Sequence, residues 1–120
     1  MSVTELEEIR KSVKALEKKS LKEFANLLRQ VGNYYRLTIP SEIDLEYVKE
    51  TERLLNNLYI RTTEVSTPSE IQTSLKKTLG IASSISYAVK VRRFGPKTFA
   101  LSKDLSEALI AISSSVARIR

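Results

Sequence analysis

The chain has 120 residues, of which 42% are apolar and 28% charged, with a formal net charge of +6 and neither cysteine nor histidine. This composition is ordinary for a globular domain and excludes disulfides, thiolate nucleophiles and histidine as a general base or metal ligand. Three glycines leave no glycine-rich phosphate loop. We therefore expect a binding or scaffolding protein rather than an enzyme, with no catalytic, cofactor or metal site.

The first predicted elements are two amphipathic helical segments. Capping boxes at residues 4–7 and 20–23 each precede apolar side chains that recur at spacings of three and four. The two stripes consist of Leu6, Ile9, Val13 and Leu16, and then of Phe24, Leu27, Leu28 and Val31. Gly32 indicates a helix end, and we interpret Tyr34 and Tyr35 as an apolar extension of that helix rather than as a platform for bases.

The next predicted element is a long helix from about residue 42 to residue 63. Its apolar stripe is wide, and a bundle of this size leaves apolar surface that needs a partner to cover it. We therefore predict that the protein is an oligomer and that a protein interface lies on this helix at Leu54, Leu55 and Leu58.

The helix that follows has the clearest local start signal in the chain. Thr67 can cap it, Pro68 suits its first position and Glu70 completes the capping box. Apolar residues continue at helical spacing over residues 71–85.

From residue 87 the apolar spacing changes to a period of two. Residues 87–92 alternate as in a half-buried strand, the glycine and proline at residues 95–96 form a turn, and residues 98–101 read as the returning strand. A short helix over residues 102–112 and a closing strand at residues 116–119 complete the pattern.

These elements predict an α+β fold, a predominantly helical bundle with a small C-terminal β module. The helical domain spans residues 1–85 and the basic β-containing module spans residues 86–120. No apolar run is long enough to cross a membrane, and the N-terminus has no signal-peptide pattern. We expect a soluble, cytoplasmic protein that associates with the nucleoid.

The positive charge is concentrated in the last third of the chain. Residues 76–120 hold nine Lys/Arg and two Asp/Glu, for a net charge of +7. Residues 1–75 hold eleven Lys/Arg and twelve Asp/Glu, for a net charge of −1. Such an asymmetry indicates a surface for a polyanion, most often nucleic acid, or for an acidic protein. The residues that we predict to make this contact are Lys90, Arg92, Arg93 and Lys97.

Three stretches of the chain resemble a GINS subunit of the archaeal type, which has its helical domain first and a small β domain last. Residues 50–61 resemble the long central helix of that family, residues 67–70 the start of its last helix, and residues 99–119 the end of its β domain. The resemblance implies a non-enzymatic scaffold that joins the replicative helicase to its partners within a hetero-oligomer.

Two other functions fit the sequence. Leu79-Gly80-Ile81 followed by a basic hairpin is similar in rhythm to a winged helix-turn-helix, which would make the protein a DNA-binding transcriptional regulator. The chain could also be a small helical subunit of another nucleoprotein complex, such as an RNA-guided effector. The partners, the stoichiometry and any base preference stay open.

Overall fold

A computed structural model describes residues 21–64 and 69–118, which form an up-and-down bundle of four α-helices. The helices are α1 (Leu21–Leu37), α2 (Leu45–Glu64), α3 (Ser69–Lys90) and α4 (Pro96–Ala117), with a 3-10 helix at Pro40–Glu42. The early capping box at residues 4–7, the first apolar stripe, and Thr67 with Pro68 lie outside the described residues. The predicted helical bundle is confirmed.

The most extensive helix contact joins α1 to α4, which run antiparallel. Three buried serines of α4 donate hydrogen bonds to main-chain carbonyls of α1: Ser102 to Tyr35 (3.4 Å), Ser106 to Gly32 (2.8 Å) and Ser113 to Ala25 (2.6 Å). A side chain on Gly32 would meet Ile110 at 2.9 Å and the carbonyl oxygen of Ser106 at 3.2 Å. The small residues therefore let the two backbones approach closely.

A tyrosine cluster connects α1 to α2. Thr51 donates its hydroxyl proton to the Tyr47 carbonyl (2.9 Å), so the Tyr35 hydroxyl must donate to Thr51 (2.7 Å). The ring of Tyr34 stacks on Tyr47 with 3.7 Å between centroids. Burial raises the pKa of Tyr35 well above its ordinary value. The two tyrosines at the end of α1 thus serve the core, as the sequence indicated.

The start of α2 is set by Asp44, the residue before its first turn. The Asp44 carboxylate accepts a hydrogen bond from the main-chain N–H of Glu46 (2.8 Å), and its own N–H donates to the Tyr34 hydroxyl (3.2 Å). Helix α2 then packs antiparallel on α3, where the side-chain amide of Gln72 donates to the carbonyl of Thr62 (3.3 Å).

The predicted C-terminal β module is wrong. No strand occurs in residues 21–64 or 69–118, and residues 87–90 instead complete α3. Residues 96–101 form the first turns of α4, so the glycine and proline at 95–96 begin a helix instead of turning a hairpin. The expected boundary at residues 85–86 falls inside α3.

The reason lies in which side chains the tertiary structure buries. Along α3 the buried positions keep a helical spacing to the last turn, and they include Ala88, while Tyr87 and Val91 are exposed. The alternation over 87–92 therefore does not reflect a buried face, because Tyr87 and Val91 are exposed and only Val89 packs partly against the core.

Helix α4 also keeps a helical spacing of its buried positions, and it continues beyond residue 112, where the predicted short helix ended. Its buried positions continue to Ser113 and Val116, and the helix runs on to Ala117. No helix in the described parts of the chain combines the length and apolarity needed to cross a bilayer.

Candidate functional site at the α3–α4 turn

The turn between α3 and α4 is held by a Schellman motif. The N–H of Arg93 donates to the carbonyl of Ala88 (2.9 Å), and the N–H of Arg92 donates to the carbonyl of Val89 (3.2 Å). Arg92 occupies the left-handed position with a φ of 59°, where glycine is usual. A large side chain thus sits at a backbone position that disfavours it.

The start of α4 closes the other side of this turn. Gly95 precedes the helix, and its carbonyl accepts hydrogen bonds from the N–H groups of Thr98 (3.0 Å) and Phe99 (3.2 Å). The buried Thr98 hydroxyl donates to the carbonyl of Arg93 (2.6 Å). The turn is therefore tied to the bundle from both helices, and these bonds fix the main chain that carries its basic residues.

The four predicted contact residues lie together at this turn. Each of Lys90, Arg92, Arg93 and Lys97 is exposed to solvent. Residues 71–103 contain seven Lys/Arg and no Asp/Glu, so no acidic residue within this stretch offsets its positive charge. The guanidinium of Arg92 lies 5.7 Å from the centre of the Phe94 ring, within cation–π range.

Acidic side chains are present at the same end of the bundle, on the α2 side. They belong to Glu42, Asp44 and Glu46, which are exposed on the 3-10 helix, the link and the first turn of α2. The Oε1 atom of Glu46 lies 3.6 Å from the Nζ atom of Lys49, so these two side chains form an ion pair. The basic surface is therefore confined to the α3–α4 side of this end.

An apolar groove of about 870 Å³ lies between the end of α1 and the first half of α4. Three large apolar side chains on its walls are exposed: Leu37 (77%), Ile39 (52%) and Phe99 (52%). Arg36 and Lys103 also line it. The groove opens at the end of the bundle that carries the basic turn, because α1 ends where α4 begins.

A second groove of about 640 Å³ lies between α3 and α4. Its lining mixes one basic residue, Lys77, with the acidic residues Glu70, Asp104 and Glu107. Within residues 21–64 and 69–118, no group of three or more acidic side chains is arranged to hold a metal ion. This groove has no chemistry that distinguishes it as a site.

The leucines expected at a protein interface lie inside the bundle. Leu54, Leu55 and Leu58 are each fully buried in the single chain, within one core cluster that includes Leu75, Ile85 and residues of α4. The stripe on α2 is therefore covered by the chain itself. Its apolar surface stabilises the fold and is not available to a partner.

The sequence analysis missed the residues of the apolar groove. Residues 37–40 lay between two predicted helices and were assigned no role, and Phe99 was assigned to a strand. The available signal was the pair Leu37 and Ile39, which are large apolar residues at the end of α1 and in the short connection after it, where polar residues are usual.

A scan against protein-family models matched none of them, and searches of curated proteins and of solved structures found no match to the chain.

Proposed function

We propose that this protein is a binding subunit of a nucleic-acid-associated assembly and that it contacts phosphate groups through the basic surface of Lys90, Arg92, Arg93 and Lys97. The observation that carries the proposal is the turn itself. Four exposed cations are grouped on a turn held by main-chain hydrogen bonds, within a stretch of 33 residues, 71–103, that contains no acid. Clustered Lys and Arg on one surface are the usual electrostatic signature of a nucleic-acid contact.

The arginine at the left-handed position supports this proposal. A left-handed conformation costs a residue with a side chain roughly 1–2 kcal/mol, and glycine would avoid that cost. Sparsely populated backbone conformations concentrate at functional sites. An arginine kept at φ 59° between two other exposed cations is consistent with a requirement for its charge there.

The assembly could be a replication complex, as the resemblance to GINS subunits implies. Helix α2 is continuous across residues 50–61, the segment that resembles the central helix of that family. The third stretch of the resemblance, residues 99–119, was expected to contain strands. Its residues up to Ala117 belong to helix α4 instead. Identification of the proteins that co-purify from native extract by mass spectrometry, with helicase and replication proteins expected, tests this version.

The winged-helix alternative requires a turn between two helices at Leu79-Gly80-Ile81 and a hairpin wing, and neither occurs in the described residues. Helix α3 runs through Gly80 without a turn, and the described residues include no hairpin that could act as a wing. A subunit of another nucleoprotein complex needs neither element and stays within the proposal.

The test of the phosphate contact is binding of a labelled oligonucleotide, followed by fluorescence anisotropy at about 50 and 200 mM salt. Arg92→Ala/Arg93→Ala should bind more weakly, and its log–log salt slope should be smaller by roughly 1.5, since each lost phosphate contact removes about 0.7–0.9. The matched control is Lys22→Ala/Arg118→Ala, which removes the same charge from exposed residues at the opposite end of the bundle. Equal losses in both double variants would contradict a localised contact.

A further inference from the structure

The apolar groove and the basic turn are adjacent along the first turns of α4. Phe99 is the fourth residue of α4, about 4.5 Å of helix rise from Pro96 where the turn ends. Lys103 follows one helical turn later and lines the same groove, as does Arg36 at the end of α1. A molecule that follows the basic turn therefore meets exposed apolar walls within one helical turn.

The chemistry of this surface restricts what it can bind. The occupant needs negative charge for the cations of the turn and for Arg36 and Lys103, and it needs flat apolar faces for Leu37, Ile39 and Phe99. Glu107 is the single acid in the groove lining. A double helix offers phosphates but keeps its bases stacked inside, so it would leave the apolar walls uncovered.

A single-stranded nucleic acid meets both requirements. Its unpaired bases stack on aromatic side chains while its phosphates lie along cationic grooves. Two exposed aromatic residues accompany the cations along the chain, since Tyr87 (58% exposed) precedes the turn and Phe99 (52%) follows it, and the half-buried Phe94 lies within it. The groove volume of about 870 Å³ also falls within the range of small-ligand sites, so at least one nucleobase fits.

We infer that the groove between α1 and α4 binds an unpaired base of a single-stranded nucleic acid, stacked on Phe99, while the adjacent phosphates contact the basic turn. This inference rests on the proposed function, because it requires that the turn bind phosphates.

The sequence offers a direct probe of stacking because the chain contains no tryptophan. Phe99→Trp introduces a single tryptophan into the groove, and Ile60→Trp places one at a position of similar exposure on α2, outside the groove lining (56% against 52%). Tryptophan emission can be excited separately from that of the five tyrosines. Each is titrated with a thymidine strand about 20 nucleotides long, which exceeds the ~4–16 nucleotides that single-strand sites commonly cover. The same strand paired with its complement is titrated in parallel.

The expected result is quenching of the Phe99→Trp fluorescence by the single strand and not by the duplex, with no quenching in Ile60→Trp. In anisotropy measurements on the chain without added tryptophan, Phe99→Ala should weaken single-strand binding about 5- to 150-fold, the range for loss of one stacked base. Duplex binding should be unchanged by Phe99→Ala, and Ile60→Ala should change neither.

Two further variants separate stacking from a structural effect. Phe99→Tyr keeps an aromatic face and should retain single-strand affinity, whereas Phe99→Leu keeps apolar bulk and should lose it. Because Phe99 is half exposed, each variant should unfold at the same urea concentration as the parent chain, which circular dichroism checks.

The outcomes separate this inference from the proposed function. If single strand and duplex bind equally and Phe99→Ala weakens neither, the base site is rejected while the phosphate contact stands. If neither binds at about 50 mM salt, both fail. If a glutamate-rich amphipathic peptide shifts the Phe99→Trp emission and the single strand does not, the groove is a site for an acidic protein and the inference is overturned.

Discussion

Arg92 is the residue at which local stability and proposed function oppose each other. It adopts φ 59° at the end of α3, where the Schellman motif requires a left-handed residue. Its charge belongs to the surface proposed to bind phosphates, and its guanidinium lies over Phe94.

This opposition predicts different results for two substitutions that remove the same charge. Arg92→Gly relieves the backbone strain, whereas Arg92→Ala keeps it, so the glycine variant should be more stable than the alanine variant by roughly 0.5–1 kcal/mol. Both should lose affinity for the oligonucleotide equally. Urea unfolding and anisotropy measure the two effects. A glycine variant no more stable than the alanine variant would show that the left-handed position is not strained.

At the scale of elements, the contact between α1 and α4 depends on small residues. The two glycines within helices provide a matched pair, because Gly32 lies in this contact and is buried, while Gly80 lies exposed within α3 with nothing within 4 Å of an added Cβ.

We expect the same substitution to have opposite signs at these two glycines. Gly80→Ala should stabilise the protein by about 0.5–1 kcal/mol through helix propensity alone. Gly32→Ala should destabilise it, because the Cβ would press on Ile110 and on the carbonyl oxygen of Ser106, and overpacking of this kind costs about 1–3 kcal/mol. Urea denaturation of both variants gives the comparison. A stabilising Gly32→Ala would mean that α1 and α4 can separate without loss.

At the scale of the whole molecule, α4 is part of the bundle and not an appendage. Its apolar residues Leu105, Leu109, Ile112 and Val116 are buried in the same cluster as those of α1, α2 and α3. The separate module that the sequence predicted at residues 86–120 implied that the helices before it would stay folded without it.

The structure leads to the opposite expectation for a chain that ends at Gly95. Each of the four apolar side chains contributes roughly 1.5–3 kcal/mol by its burial, and together they rival the ~5–15 kcal/mol net stability of a typical domain. The shortened chain should lose cooperative unfolding in urea, as followed by circular dichroism, and addition of a peptide of residues 96–120 should restore it. A cooperative transition in the shortened chain alone would show instead that α1, α2 and α3 fold without α4.

The helical part of the fold was predictable because its signals are local. The stripe from Phe24 to Val31 and the stripe on α2 repeat every three or four residues, and this spacing places them on one helix face whatever the rest of the chain does. The positions of Lys90, Arg92, Arg93 and Lys97 in one charged stretch could also be read directly, since they are neighbours along the chain.

By itself, then, the sequence determined the amphipathic helices, the lack of cysteine and histidine chemistry, and the basic character of the last third. Only the tertiary structure decided that residues 87–101 form a helix end, a turn and a helix start. It also decided that Leu54, Leu55 and Leu58 are covered by the chain itself, and that Leu37 and Ile39 line one groove together with Phe99. The physical reason is that burial and long-range contact depend on which helices pack together. The α1–α4 pairing, with Ser106 bound to the carbonyl of Gly32, joins residues 74 positions apart, and no spacing pattern along the chain encodes it.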